Sequence, residues 1–391
     1  MTAKFDDRRN RETIAFVVTI PGAARAFLMA PIRALSEKYD VLLLSNFADD
    51  KADDLLAMVP GGRFRLVNIP FARKPSLWND IRSWWALFRY LRRTKPDILH
   101  SLMPKTGLLA MTGGLAAGIP TRAHMFTGQV WATRTGWQRT ALKMFDRIIS
   151  ASATTLLADS PSQREFLIEN RIAREIEVLG HGSVGGVDIE KFRKDPVSSK
   201  AIRAQLGIDD DILIFGFLGR LNHDKGVTDL VAAFAAARPA KPAALLLVGP
   251  DEAGIADQVR VRWSDLVSKI HIPGSTDQPE RWLAAFDICC LPSYREGFGT
   301  TIIEAAACGV PALASRIYGL TDAIDEGRTG LLHPPADIQA ISSGIETLAA
   351  DTRLREQLGT AARQRVERQF SQAFMVERWL EFYDRRAGRR R

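Results

Sequence analysis

Short apolar runs alternate along the chain with longer stretches in which apolar residues recur every three or four positions. The first series of short runs covers 13–20, 41–45, 65–69, 98–102, 122–126, 155–158 and 177–179. Between them, 26–38, 77–93, 137–150 and 162–169 carry the helical period. Strands that are apolar on both faces and separated by helices predict a parallel sheet covered on each side. The pattern breaks at 180–196, where four glycines and a proline mark a hinge. A second series follows, with strands expected at 212–218, 244–248, 269–272, 288–291, 312–314 and 330–332, and helices at 227–237, 279–285, 301–308 and 338–349. A last helical, aromatic-rich stretch covers 371–386. The expectation is an α/β protein of two Rossmann-like domains, 1–192 and 193–370, followed by a closing segment 371–391 with a basic tail. Neither domain has a Gly-x-Gly-x-x-Gly after its first strand, which argues against a standard NAD or FAD site.

Composition narrows this little. The 391 residues are 46% hydrophobic and 25% charged, ordinary for a globular enzyme. Cys289, Cys290 and Cys308 have neither disulfide nor zinc spacing, and the six histidines are scattered, so a reducing cytoplasm is expected. The start of the chain is polar and charged, without the look of a signal peptide. The longest uncharged apolar run, 107–120, holds four glycines and is too short to span a bilayer. The net charge of +8 is concentrated in Arg82, Arg89, Arg92, Arg93 and Lys95 and in the tail Arg385, Arg386, Arg389, Arg390 and Arg391. Aromatic and basic residues are not interleaved outside 77–93, and no nucleic-acid signature is present.

The chemistry concentrates at 294–311. Glu296 lies in a glycine-rich turn and Glu304 in an apolar helix eight positions on. A glycine loop entering a helix offers free backbone N–H groups and a positive dipole end, which suit a phosphate. Two carboxylates flanking such a site suit hydroxyl groups instead. A diphosphate with a polyol at each end is a nucleotide sugar. Arg220 and Lys225, in the loop after the first strand of the second series, stand where ligands of open α/β sheets bind. They can hold the diphosphate and offset the charge that grows on it as it departs.

Gly219-Arg220-Leu221 with Lys225-Gly226, then Glu296-Gly297-Phe298-Gly299 with Glu304 and Gly309-Val310-Pro311, then Asp325-Glu326-Gly327 with Gly330-Leu331-Leu332, together resemble glycosyltransferase family four. In the first domain the resemblance is thinner: Lys95-Pro96-Asp97, Ala158-Asp159-Ser160-Pro161-Ser162 and Gly185-Gly186-Val187-Asp188. It implies a GT-B fold, with two Rossmann-like domains facing a central cleft and the closing helix returning to the first domain. It also implies a retaining enzyme of bacterial envelope-polysaccharide synthesis, such as O-antigen or capsule. A hexose or N-acetylhexosamine would pass from a nucleotide donor, UDP-linked by family frequency, to a saccharide or polyprenyl-diphosphate-linked acceptor. No cofactor and no metal are implied. The catalytic set is Glu296, Arg220 and Lys225. The donor-binding set adds Gly297, Phe298, Gly299, Thr300 and Glu304, with Glu296 on a hydroxyl of the transferred sugar and Glu304 on the ribose. Gly22, Thr127 and Gly128 are placed on the acceptor side.

One departure concerns the first domain. Many members carry His-Gly where Thr127-Gly128 stands here. His124, an odd number of strand positions earlier, points to the other face and reads as a core histidine. Asp209, Asp210 and Asp211 read as a turn. Competing readings are a nucleotide-sugar epimerase of similar architecture and a non-enzymatic module binding lipid or nucleic acid. The stretch 77–93 places Leu77, Ile81, Trp84, Trp85, Phe88 and Leu91 on one broad helical face, with arginines mainly opposite. That pattern fits either a core helix or a peripheral contact with anionic lipid at the inner face of the plasma membrane.

Overall fold

A computed structural model describes residues 11–48, 52–72 and 76–387. The first ten residues and the tail arginines Arg389, Arg390 and Arg391 lie outside the described residues. The chain divides into two compact units, Met1–Gly186 with Gln372–Arg391, and Val187–Ser371.

The first unit holds β1 (Thr13–Val17), β2 (Asp40–Ser45), β3 (Phe64–Asn68), β4 (Ile98–Leu102), β5 (Thr121–Phe126), β6 (Thr155–Ala158) and β7 (Glu177–Val178). They form one parallel sheet in the order β3-β2-β1-β4-β5-β6-β7. The second unit holds β8 (Leu213–Leu218), β9 (Ala243–Val248), β10 (Ile270–Gly274), β11 (Ile288–Leu291), β12 (Ala312–Ser315) and β13 (Gly330–His333). These are also parallel, in the order β10-β9-β8-β11-β12-β13. In each sheet the order reverses beside the first strand, at β1/β4 and at β8/β11. Doubly wound sheets leave their ligand crevice at such a point, beyond the carboxyl ends of the strands.

Right-handed crossovers fix the helices. The helices Leu77–Thr94, Pro104–Ala117 and Gly136–Ser152 each lead to the next strand on the same side of the first sheet, and they pack side by side. The first of them divides the broad apolar face read from its sequence, with Trp84, Phe88 and Leu91 in or against the core. Ser83, Leu87 and Leu91 face the core, while Leu77, Ile81 and Trp85 are exposed. Docking is set at the helix start, where the Ser83 hydroxyl donates to Pro70 O at 2.6 Å. Such an anchored hydroxyl makes a polar position compatible with burial. The stretch expected as one helix at 26–38 is two, Pro21–Phe27 and Met29–Lys38, so that Gly22 lies in a helical first turn.

The opposite face of the first sheet is closed by Gln372–Ala387, the last helix. Met375, Trp379, Phe382 and Tyr383 join Ile14, Phe16 and Val18 in one buried cluster. Trp379 Nε1 donates to Val184 O at 2.7 Å, and the Tyr383 hydroxyl meets His100 Nδ1 at 2.7 Å.

Candidate active site

The loop after β8 and the loop after β11 meet at the switch point of the second sheet. Asn222 caps a single 3-10 turn, His223–Lys225, by accepting from Lys225 N. Gly226 ends that turn with φ 66°, and a Cβ there would strike the carbonyl oxygen of Pro292. Only glycine serves both demands. Asp224 stitches the two loops together, accepting from Tyr294 N at 2.9 Å through its carbonyl and from Arg295 Nη2 at 2.8 Å through its carboxylate. The His223 ring stacks on Tyr294, and the Tyr294 hydroxyl donates to Asp229.

This lacing brings two of the expected residues into contact. Lys225 Nζ lies 2.5 Å from Glu296 Oε1, and the Ser293 hydroxyl donates to the same oxygen at 2.7 Å. Both partners are largely shielded from water, with side chains 22% and 11% exposed, so solvent screens their attraction less than at an open surface. Arg220, more exposed, pairs with Glu252 at 3.3 Å, and Asn222 Nδ2 donates to Glu252 at 2.8 Å. Glu252, Ser293 and Asn222 were not expected from the sequence. Glu252 follows β9, the neighbour of β8, and that position at the carboxyl edge was the available signal.

Beyond Glu296 the chain turns through Gly297 and Phe298. The Phe298 ring is buried edge-on against Phe370. Gly299 takes φ 84° and opens the helix Thr300–Ala307. Its first N–H groups have no partner within the helix and carry the positive end of its dipole. One turn on, Glu304 sits among Ile302, Ile303, Ala305 and Ala306, all buried. Burial pushes its pKa up to about 7; Lys191 opposes this and Glu280 adds to it.

The first unit presents different chemistry at its carboxyl edge. Thr127 and Gly128 follow β5, where Thr127 O accepts from Gln129 Nε2 at 2.7 Å. Gln129 Oε1 in turn accepts from Gln163 Nε2 at 3.1 Å, and Gln163 Oε1 accepts from Asp159 N at 2.7 Å. Gln129 and Gln163 are fully buried, and neither stood out in the sequence. His124, on β5 beside β4, is buried against the helix Pro104–Ala117, with Nδ1 2.8 Å from the Ser101 hydroxyl, and burial holds its pKa down at about 3. It is a neutral core group. Asp209, Asp210 and Asp211 turn into the start of β8, at the edge away from the loops described above.

Two family models match. "Glycosyl transferase 4-like domain" covers residues 22–182 and "Glycosyl transferases group 1" covers 198–365. The capsular polysaccharide biosynthesis glycosyltransferase CapM of Staphylococcus aureus is 29% identical over 324 residues, 81% of this chain and 84% of that protein. Among solved structures, sucrose-phosphate synthase from Thermosynechococcus elongatus superposes with a TM-score of 0.78 at 21% identity, covering 96% of this chain and 99% of that one. HepE of Anabaena, solved in complex with UDP, gives 0.76 at 19% identity, covering 96% and 100%.

Proposed function

The chain belongs to the GT-B glycosyltransferases of the family-four type, and on that premise we propose a retaining enzyme that uses a UDP-linked hexose or N-acetylhexosamine. The acceptor is a saccharide or polyprenyl-diphosphate-linked saccharide of an envelope polysaccharide. One observation carries the reading: Arg220, Lys225, Glu296 and the start of Thr300–Ala307 gather at the β8/β11 switch point. The uridine choice is supported by HepE, a neighbour of the same fold solved with UDP and with UDP-glucose. The polysaccharide context is supported by CapM.

In this mechanism the donor diphosphate lies against the N–H groups at 299–301, with Arg220 and Lys225 on its remaining oxygens. Those cations take up the charge that grows on the diphosphate as the bond from the sugar C1 to its phosphate oxygen breaks. Lys225 is already held in place by Glu296. It therefore needs little further ordering to act. Glu296 Oε1 is occupied by Lys225 and Ser293, and Oε2 accepts from a hydroxyl of the transferred sugar. The acceptor oxygen bonds to C1 on the face the diphosphate leaves, and its proton passes to a departing phosphate oxygen. Configuration is thereby retained without a protein nucleophile. Glu304 accepts from the ribose hydroxyls. Thr127 and Gly128, with Gly22, offer neutral groups to the acceptor.

Thermal shift with UDP, GDP and their sugars tests the donor assignment, because a ligand that binds the folded state raises its melting temperature. UDP and a UDP-sugar should raise it, and Glu304→Ala should remove the rise. A response to GDP compounds alone overturns the uridine choice, and an undiminished rise in the variant overturns the ribose role. An inverted anomeric centre in the product, read by NMR, overturns retention.

A further inference from the structure

The helices Leu77–Thr94 and Gly136–Ser152 each keep one side for the core and turn apolar residues outward on the other. In the first, Leu77, Trp78, Ile81 and Trp85 are exposed; in the second, Trp137, Met144, Phe145 and Ile148. Trp78 and Trp137 are 80% and 78% exposed, and each is the second residue of its helix. Both helices run from the carboxyl edge of the first sheet, so both tryptophans stand at the edge that carries Thr127 and Gly128. Pro104–Ala117 packs between the two helices and completes the layer.

Charge says what this face meets. The three helices contain eight cations, Arg82, Arg89, Arg92, Arg93, Lys105, Arg139, Lys143 and Arg147, against two carboxylates, while the entire chain carries +8. Neither carboxylate offsets the outer surface much. Asp146 is buried and accepts from Trp131 Nε1 at 2.7 Å, and Asp80 pairs with Lys105 at 2.6 Å. A second copy meeting this face symmetrically would set the same cations against one another. No helix among the described residues is long and apolar enough to cross a membrane. Exposed tryptophans rimmed by arginine and lysine match a bilayer surface, with rings at headgroup depth and cations on anionic lipid.

We propose that the outer face of this three-helix layer docks on an anionic lipid bilayer, with Trp78 and Trp137 as its two anchors. The docking brings the Thr127–Gly128 edge of the first unit towards the lipid, where a polyprenyl-linked acceptor would be presented. What the docking is for rests on the acceptor reading above; the docking itself does not.

The test is flotation of the full chain with phosphatidylcholine vesicles, with and without phosphatidylglycerol, at low and high salt. The protein should float only with the anionic vesicles and be released by salt. Trp78→Ser with Trp137→Ser should lower the partition on the order of tenfold per residue. Melting temperature and the nucleotide-induced rise should stay unchanged in that variant. Protein left at the bottom with every mixture overturns the proposal. So does a double variant that floats like the parent, or a dimer of the parent that the double variant dissolves. In the parent chain, no flotation beside an intact nucleotide response sinks the docking alone. A lost nucleotide response with retained flotation sinks the donor reading alone.

Discussion

The two units share a winding order and differ in what they place at the same edge. In the second, the loops beyond the strands are laced by opposite charges: Lys225 with Glu296, Arg220 with Glu252, Arg295 with Asp224. In the first, the corresponding region beyond β5 is held by uncharged amides, with Gln163 on Gln129 and Gln129 on Thr127. A diphosphate needs fixed cations whose own positions are set in advance. A sugar hydroxyl needs donors and acceptors without a field strong enough to attract the wrong ligand. On the proposed function one backbone plan would serve two chemistries, divided by loop side chains rather than by the sheets.

The contrast breaks most sharply at Lys225. On the proposed mechanism Lys225→Met removes the cation that meets the leaving group and leaves Glu296 without its partner, so kcat/KM with the nucleotide sugar should fall roughly 10²–10³-fold. A fall under about threefold would mean the cation is not on the leaving group. Next is the effect of pH at Glu304. With a pKa near 7, its carboxylate form is lost on acidification. Nucleotide affinity by calorimetry should therefore weaken about fivefold between pH 7 and pH 6 and keep falling below that. Glu304→Gln should bind weakly at all pH values and show no such slope. The stability effect has the opposite sign. The folded pKa lies above the free value of 4.5, so the folded protein holds a proton between pH 4.5 and 7 that the unfolded chain has released. Burial of Glu304 thus costs stability as pH rises through that window. The smallest effect belongs to the amide network. Gln163→Ala strips a partner from buried Gln129 and should cost about 1–3 kcal/mol in urea unfolding. Its UDP-induced melting rise should match the parent's, because the network lies wholly in the first unit.

The strands were legible because parallel strands buried on both faces are written as continuous apolar runs. Ile288–Leu291 and Ala312–Ser315 are fully buried and stand out for that reason. The helix Pro104–Ala117 did not stand out. It is apolar nearly all round and carries three glycines, so it lacks the polar stripe that announces a surface helix. Its glycines are packing contacts: a Cβ on Gly107 would strike the His124 ring, and one on Gly114 would press on Leu99. The pattern left open which side of Leu77–Thr94 docks, because its apolar residues cover too wide an arc. The choice came from Ser83, a polar residue whose partner is a carbonyl thirteen positions away. At the candidate site, the glycine turns and the loops that carry Lys225 and Glu296 were legible. The pairing of Lys225 with Glu296 joins positions 71 apart, and Glu252 reaches Arg220 from 32 away. Such contacts follow from strand order, which no local pattern records.

The return of Gln372–Ala387 to the first unit sets an order for biosynthesis. The ribosome delivers Phe16 and His100 early, yet the helix that covers them arrives only after the whole of the second unit. The amino-terminal unit, though made first, is therefore finished last, and a chain released at Ser371 would leave the nascent face of its sheet to whatever chaperone or neighbour reaches it first.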